Sequence, residues 1–227
     1  MNIVRIGLSP RAAGLARAAA QEHWRTLHAQ LFARMPGLVS YVQNHAVLDT
    51  EGMPLPADPG FDIFSEVEFA DEMRIARAME SAWFREAIVP DERRLLDPSR
   101  RCFLMTQRHV LAARAVPDDC KLVVFLAGAP ASASKVPIAA WLERPGLAAV
   151  VARAGSLAAY DVQAAGGAVP RLVNLVVARG CDSVEEALDV HERLLATLPT
   201  TGGAGLHVAV IVREHVVVPR PEPKEVA

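Results

Sequence analysis

Three histidines, His23, His28 and His45, fall in one short stretch with Trp24 and Tyr41. Imidazole titrates near neutrality, so His28 with His45 could lift a proton from a carbon beside a carbonyl and return it elsewhere. The plainer reading makes His28 a satisfied core histidine and places His45 at a strand end. Tyr41 could donate a hydrogen bond to an enolate oxygen, or simply pack in the core. Trp24 and Trp83 could stack on a planar ligand, although large aromatics at helical spacing more often fill cores. Asp62, Glu66 and Glu68 share one strand face and suit either acid/base work or a structural role opposite arginines. Asp91 is placed in a connector where it could line a pocket mouth, while Asp97-Pro98 reads as a turn.

These groups need elements to carry them. Leu15 to Met35 favours a helix, ended by Pro36-Gly37, and Trp24, Leu27, His28, Leu31 and Met35 recur at three and four. His28 then points inward beside Trp24. His23, five residues earlier, lies about 140° around at roughly 100° per residue and is expected on a flank. A two-residue period over Leu38 to Val47 puts Val39, Tyr41, Gln43, His45 and Val47 on one side of a strand, with Asn44 on the other. Leu48 to Gly60 is rich in proline and glycine and is expected to be a loop, long enough to act as a flap.

Phe61 to Phe69 alternates as a second strand. Asp71 caps a helix running to about Arg85, an irregular connector follows, and Cys102 to Leu111 is a strand. After a short first strand at Asn2 to Leu8, the order is β, α, β, β, α, β. Residues 116 to 218 predict the same order again, with strands at Lys121 to Leu126, Ser156 to Val162, Arg171 to Ala178 and Leu206 to Val218. Helical regions fall at Val136 to Arg153, broken by Pro145-Gly146, and at Val184 to Leu198, capped by Ser183. EHWRTL aligns with AAWLER, GLVSY with SLAAY, and QRHVL with REHVVV. The glycine pairs 166-167 and 202-203 are expected as turns.

Composition narrows the class. A chain of 227 residues, 52% hydrophobic with formal charge −2, can bury a sizeable core and carries no basic block suited to nucleic acid. No apolar run reaches the length of a membrane span, so a cytoplasmic protein is expected. Cys102, Cys120 and Cys181 fit neither a disulfide framework nor a zinc site, and no HExxH pattern occurs, so no metal is expected. No cofactor is expected either, since no histidine stands out as a haem ligand. The tail from Pro219 to Ala227 reads as a frayed end.

Two βαββαβ units are the ferredoxin-like arrangement written twice, and each antiparallel sheet would leave one face open. Each half can cover the other, which predicts an α+β barrel closed within one chain. The expected division is 1–115, 116–218 and a flexible 219–227.

EHWRTLHAQL, MPGLVSYVQNHAV, FDIFSEVEF and DPSRRCFLMTQRHVL resemble the EthD family of the dimeric α+β barrel superfamily. The resemblance covers residues 15 to 111 well and 120 to 218 in outline. It implies that His28, Tyr41, Asn44 and His45 lie near a pocket between helices and sheet. In the second half His28 falls opposite Pro145 and His45 opposite Ala164, which implies one working site per chain. The resulting expectation is a small-molecule protein for an apolar, aromatic or polyketide-like ligand. It would be a cofactor-free isomerase, cyclase or dehydratase using His28, His45 and Tyr41, with Trp24, Asn44, Asp62, Trp83 and Asp91 around the ligand. The competing expectations are a non-catalytic ligand-binding or assembly module and a cofactor-independent monooxygenase. No nucleic-acid or membrane partner is expected, and the chain would be a monomer or a homodimer.

Overall fold

The computed structural model describes residues 2–114, 118–127, 138, 140, 143, 147, 150–151, 155–167, 173–197 and 205–220. Strand β1 (Ile3–Ser9) leads into helix α1 (Arg17–His23), a π-helical turn (Trp24–His28) and α2 (Ala29–Phe32), which form one continuous helical stretch. Strands β2 (Leu38–Ala46) and β3 (Ile63–Phe69) follow, then α3 (Glu72–Glu80), a second π-helical turn (Phe84–Ile88) and α4 (Val89–Leu95). The remaining elements are β4 (Cys102–Ala112), β5 (Cys120–Ala127), β6 (Leu157–Gly167), β7 (Val173–Cys181), α5 (Val184–Thr197) and β8 (Gly205–Val218).

The eight strands close into one antiparallel barrel in the order β1-β3-β2-β8-β5-β7-β6-β4. Within it the first four strands run β4-β1-β3-β2 and the last four β8-β5-β7-β6, the same order shifted by four. Each group alone would expose two edges. Here β2 pairs with β8 and β4 with β6, so the edges of each half are consumed by the other. An eight-stranded barrel is just wide enough for side chains to fill. Ile6, Leu8, Phe64, Leu104, Phe125 and Tyr160 do so, and the Phe64 and Phe125 rings meet at 5.7 Å.

Strand alternation sends the other residues outward under the helices. Phe32, Tyr41, Val67, Phe69, Ile75 and Ile88 pack the first half, and Leu122, Val177, Val190, Leu194 and Ile211 the second. Asp71 caps α3 by accepting from the Arg74 amide, and Ser183 caps α5 through Glu186. Cys102, Cys120 and Cys181 are free and buried.

Several expectations change. Pro90 and Asp91 are not in an irregular connector; they lie in helix α4, which runs on directly from the π-helical turn, so the missing proline N–H falls just after that irregular turn. Gly166 and Gly167 are not a turn but the end of β6, paired with Phe103 and Cys102. Gly166 lies under the Phe103 ring, where a Cβ would come within 2.4 Å of the ring. Phe61, just before β3, joins the barrel interior through Phe125. The tail is anchored at least to Arg220, which is ion-paired with Glu66. Most of the helix expected at 136–153 lies outside the described residues, as do Trp141, Pro145, Gly202 and Gly203. No helix among the described residues is long and apolar enough to cross a membrane.

Candidate functional site

Helix α1 and its π turn cross the outer face of β2. Trp24 is fully buried, and its indole N–H donates to the Tyr41 hydroxyl at 3.1 Å. Gln43, two residues along the same strand face, donates from Nε2 to the Tyr41 oxygen at 2.9 Å and to the Trp24 carbonyl at 2.7 Å. The Tyr41 oxygen therefore accepts two hydrogen bonds, and its own proton must point away from both donors. Burial pushes the phenol well above its ordinary range, against the two donated hydrogen bonds, so Tyr41 stays a neutral O–H donor.

His28 is 5% exposed and bonds through Nδ1 to Asp91 Oδ2 at 2.8 Å. His23 reaches the other oxygen of the same carboxylate, Nε2 to Oδ1, at 2.7 Å. The expectation that His23 would stand apart on a flank is corrected: the intervening turn is π-helical, so residues five apart stack one above the other. Burial alone would raise the Asp91 carboxyl, but the hydrogen bonds and charges of His28 and His23 hold it below its ordinary range. A carboxylate only accepts, so His28 presents Nδ1–H to Asp91. Its Nε2 has no protein partner among the described residues.

His28 and Tyr41 both line a cavity of about 30 Å³ between helix and sheet, together with Trp24, Phe32, Ser65 and Arg101. Arg5 also lines it, and its guanidinium packs over Phe103 at 4.8 Å; burial, with the charge of Arg101, lowers it to about 10. The cavity's volume is room for about one or two water molecules.

The remaining predicted residues lie elsewhere. His45 shares the Tyr41 face and stacks on Trp24 at 4.5 Å between ring centroids. Its Nδ1 meets Gln21 Oε1, and its Nε2 meets Gln43 Oε1 at 3.0 Å. Both amides are fixed by backbone carbonyls, Gln21 donating to Asp62 O and Gln43 to Trp24 O, so both oxygens must face the ring. A neutral imidazole can satisfy only one of them. Two donors would require a charged ring, and burial, with Arg25 and His215 nearby, opposes that and lowers His45 to about 3.

Asn44 points into the barrel and donates to Glu66 Oε1 at 3.0 Å. Glu66 also accepts from Tyr160 at 2.7 Å and from Arg220 at 2.5 Å. Trp83 donates to the Leu31 carbonyl and carries Arg34 over its ring at 4.0 Å, tying α2 to the second helical stretch. Asp62 accepts from the Arg11 amide at 3.0 Å and from the Arg11 and Arg17 guanidiniums at 2.7 Å each. Trp24, His28, Tyr41 and Asp91 thus come together, and His45 joins them through Trp24 and Gln43, while Asn44, Asp62 and Trp83 take part in other networks. Sequence reasoning missed Gln43 as the second donor to Tyr41, although its two-residue spacing was visible. It also missed Arg5 and Ser65, which only tertiary packing brings in. No cluster among the described residues has the makings of a metal site.

Residues 12–99 match the EthD domain family model. No curated protein matches the chain in sequence. Among solved structures, an anthrone oxidase-like protein is 11% identical over 95% of this chain and 93% of its own, with a TM-score of 0.55. A variant chlorite dismutase from Candidatus Nitrospira defluvii, in complex with cyanide, is 7% identical over 95% and 91%, with a TM-score of 0.54. An ethyl tert-butyl ether D (EthD) family protein from Bacillus halodurans is 22% identical over 42% of this chain and 88% of its own, with a TM-score of 0.34. The first two likenesses show a shared α+β barrel fold.

Proposed function

We propose that the protein, whose residues 12–99 match the EthD domain family model, binds a small, mostly apolar carbonyl compound between α1 and the sheet and moves a proton on it without a cofactor. The observation that carries this reading is His28, held through Nδ1 by Asp91 and lining a cavity with Tyr41. In that tautomer Nε2 offers a lone pair. Nε2 would take a proton from the carbon beside the carbonyl, and the electron pair left behind would form an enolate. The enolate oxygen would accept from the Tyr41 hydroxyl. The imidazolium beside Asp91 then returns its proton to another carbon, giving isomerisation, or to a departing hydroxyl, giving dehydration. The name of the anthrone oxidase-like neighbour makes aromatic ketones the class to try first. The matching strand orders of the two halves support two ferredoxin-like units, 1–115 and 116–218, in one chain. Barrel closure then needs no second subunit.

The test is ligand-detected NMR with a panel of aromatic and polyketide-like ketones in deuterated buffer. Wild-type protein is expected to exchange a proton beside the carbonyl, and His28→Ala to lose about 100-fold or more of that rate. Unchanged exchange in His28→Ala would refute the reading.

The cavity size favours a second reading. About 30 Å³ admits water and no ketone of this class, so the His23–Asp91–His28 clamp would then be a fixture tying two helices together in a non-catalytic module. On that reading no ketone in the panel binds, and His28→Ala changes stability alone.

A further inference from the structure

A second cavity is larger than the one beside His28. It is a groove of about 610 Å³ at the end of β1, between the β1–α1 connector and the loop that precedes β3. That volume lies in the range of small-molecule sites, and its walls are charged. Arg11, Arg17 and Arg100 line it with Asp58 and Asp62.

Asp62 organises two of the three arginines. Its side chain is 6% exposed, and it holds Arg11 Nη1 and Arg17 Nε at 2.7 Å each. Burial alone would raise Asp62, but the Arg11 amide and the two guanidiniums hold it below its ordinary range, so it stays ionised and both arginines stay fixed. Arg11 Nε is spent on the Leu15 carbonyl, which leaves its second terminal nitrogen unused among the described contacts. Arg17 Nη2 reaches Asp58 only at 3.4 Å, and Asp58 is 46% exposed, a weak contact that a better acceptor would displace. Arg100 is exposed and lies near Asp97, yet makes no side-chain hydrogen bond or ion pair among the described residues.

The groove therefore carries three guanidiniums against two carboxylates, on a chain whose net charge is −2. Planar guanidiniums held in place match the paired oxygens of a carboxylate or phosphate. We propose that this groove is a binding site for a small organic anion whose carboxylate or phosphate is held by Arg100 with Arg11 and Arg17. The volume beyond the head group calls for an organic body rather than a bare ion. Groove and buried cavity also abut: Pro10, Asp62 and Arg100 line the first, while their chain neighbours Ser9, Ile63 and Arg101 line the second. An anion anchored in the groove would lie against the chain segments that also wall the cavity of His28. The groove's binding of anions does not depend on proton transfer at that residue.

Isothermal titration of the full chain with inorganic phosphate, phenyl phosphate and benzoate, at low and at physiological ionic strength, tests the site. Wild type is expected to bind at least one organic probe more tightly than phosphate, and more weakly as salt rises. Arg100→Glu, at an exposed position without an ion pair, should lower that affinity about tenfold or more, and Asp58→Asn should raise it. His28→Ala should bind as wild type does, which separates failure here from failure of the proton-transfer reading. Whichever of phenyl phosphate and benzoate binds better identifies the head group. No binding of any probe, or equal binding by Arg100→Glu, would overturn the proposal.

Discussion

His28 Nδ1 lies 2.8 Å from Asp91 Oδ2 and joins the first helical stretch to a residue 63 positions further along the chain. The same carboxylate holds His23, and the hydrogen bonds of the two imidazoles keep it below its ordinary range against the cost of its burial. Asp91→Asn keeps the shape but cannot accept from both rings as a carboxylate does. We expect a loss of about 2 kcal/mol by urea denaturation, the worth of a charge-assisted hydrogen bond. His23→Ala should cost less, because His23 is 26% exposed and its bond is partly screened. An Asp91→Asn protein as stable as wild type would mean that the clamp holds nothing together.

How much of this was legible in the sequence depends on range. Tyr41 and Asn44 take opposite faces of β2 because a strand has a period of two whatever surrounds it. Asp71 and Ser183 cap their helices for equally local reasons. His23 could not be placed, because a helical wheel assumes a regular α-helix and nothing local announces the π turn after it. Asp91 was displaced for a related reason: Pro90 signals a break, yet the chain stays helical through it because a π turn precedes α4. The groove joins Arg11 and Arg17, Asp62, and Arg100 from three chain segments, and Arg220 reaches Glu66 from beyond β8. Such long-range convergence has no periodic signature.

Tyr41 collects the N–H groups of Trp24 and Gln43 on one oxygen. Tyr41→Phe leaves the indole N–H without its acceptor in a fully buried place, while Gln43 keeps the Trp24 carbonyl. The expected cost is about 1–3 kcal/mol. Trp24→Phe in the Tyr41→Phe background removes the orphaned donor, so the two changes together should cost less than the sum of their separate effects. Strict additivity in a double-mutant cycle by urea denaturation would show that this hydrogen bond carries no coupling.

Arg220, beyond β8, enters the barrel and pairs with Glu66. Burial alone would raise Glu66, but Arg220 and Lys121, with hydrogen bonds from Tyr160 and Asn44, hold it below its ordinary range. Replacing Arg220 with Met keeps much of the stem but removes the charge, leaving a carboxylate that is 4% exposed with weaker compensation. We expect a loss of about 2 kcal/mol at neutral pH, shrinking toward acid pH as Glu66 takes up a proton in the variant. The contribution of a depressed carboxyl is present above its unfolded range and lost as pH falls. Urea midpoints of wild type and Arg220→Met at neutral and acid pH measure it, and a pH-independent gap would exclude the charge pairing as its source.

His45 sets a second acid-sensitive term, and its sign separates two forces acting on the ring. Burial, Arg25 and His215 lower it to about 3 from an ordinary value of 6.5, whereas the oxygens of Gln21 and Gln43 both ask for an N–H donor. Burial dominates, since only one of those bonds is forfeited by a neutral ring. The unfolded chain then takes up a proton below pH 6.5 that the folded chain refuses until about pH 3. Stability from this group is complete above the upper value and declines steadily through the interval, at roughly 1.4 kcal/mol per pH unit. Between pH 6.5 and 5 that amounts to about 2 kcal/mol, before unfolded carboxyls near 4 begin to titrate. His45→Gln, which can donate one bond and accept another without titrating, should flatten this part of the pH profile of urea midpoints. If wild type instead gained stability relative to the variant on acidification, the two amide oxygens would be holding the imidazole charged, and His45 would be a buried cation rather than a neutral ring.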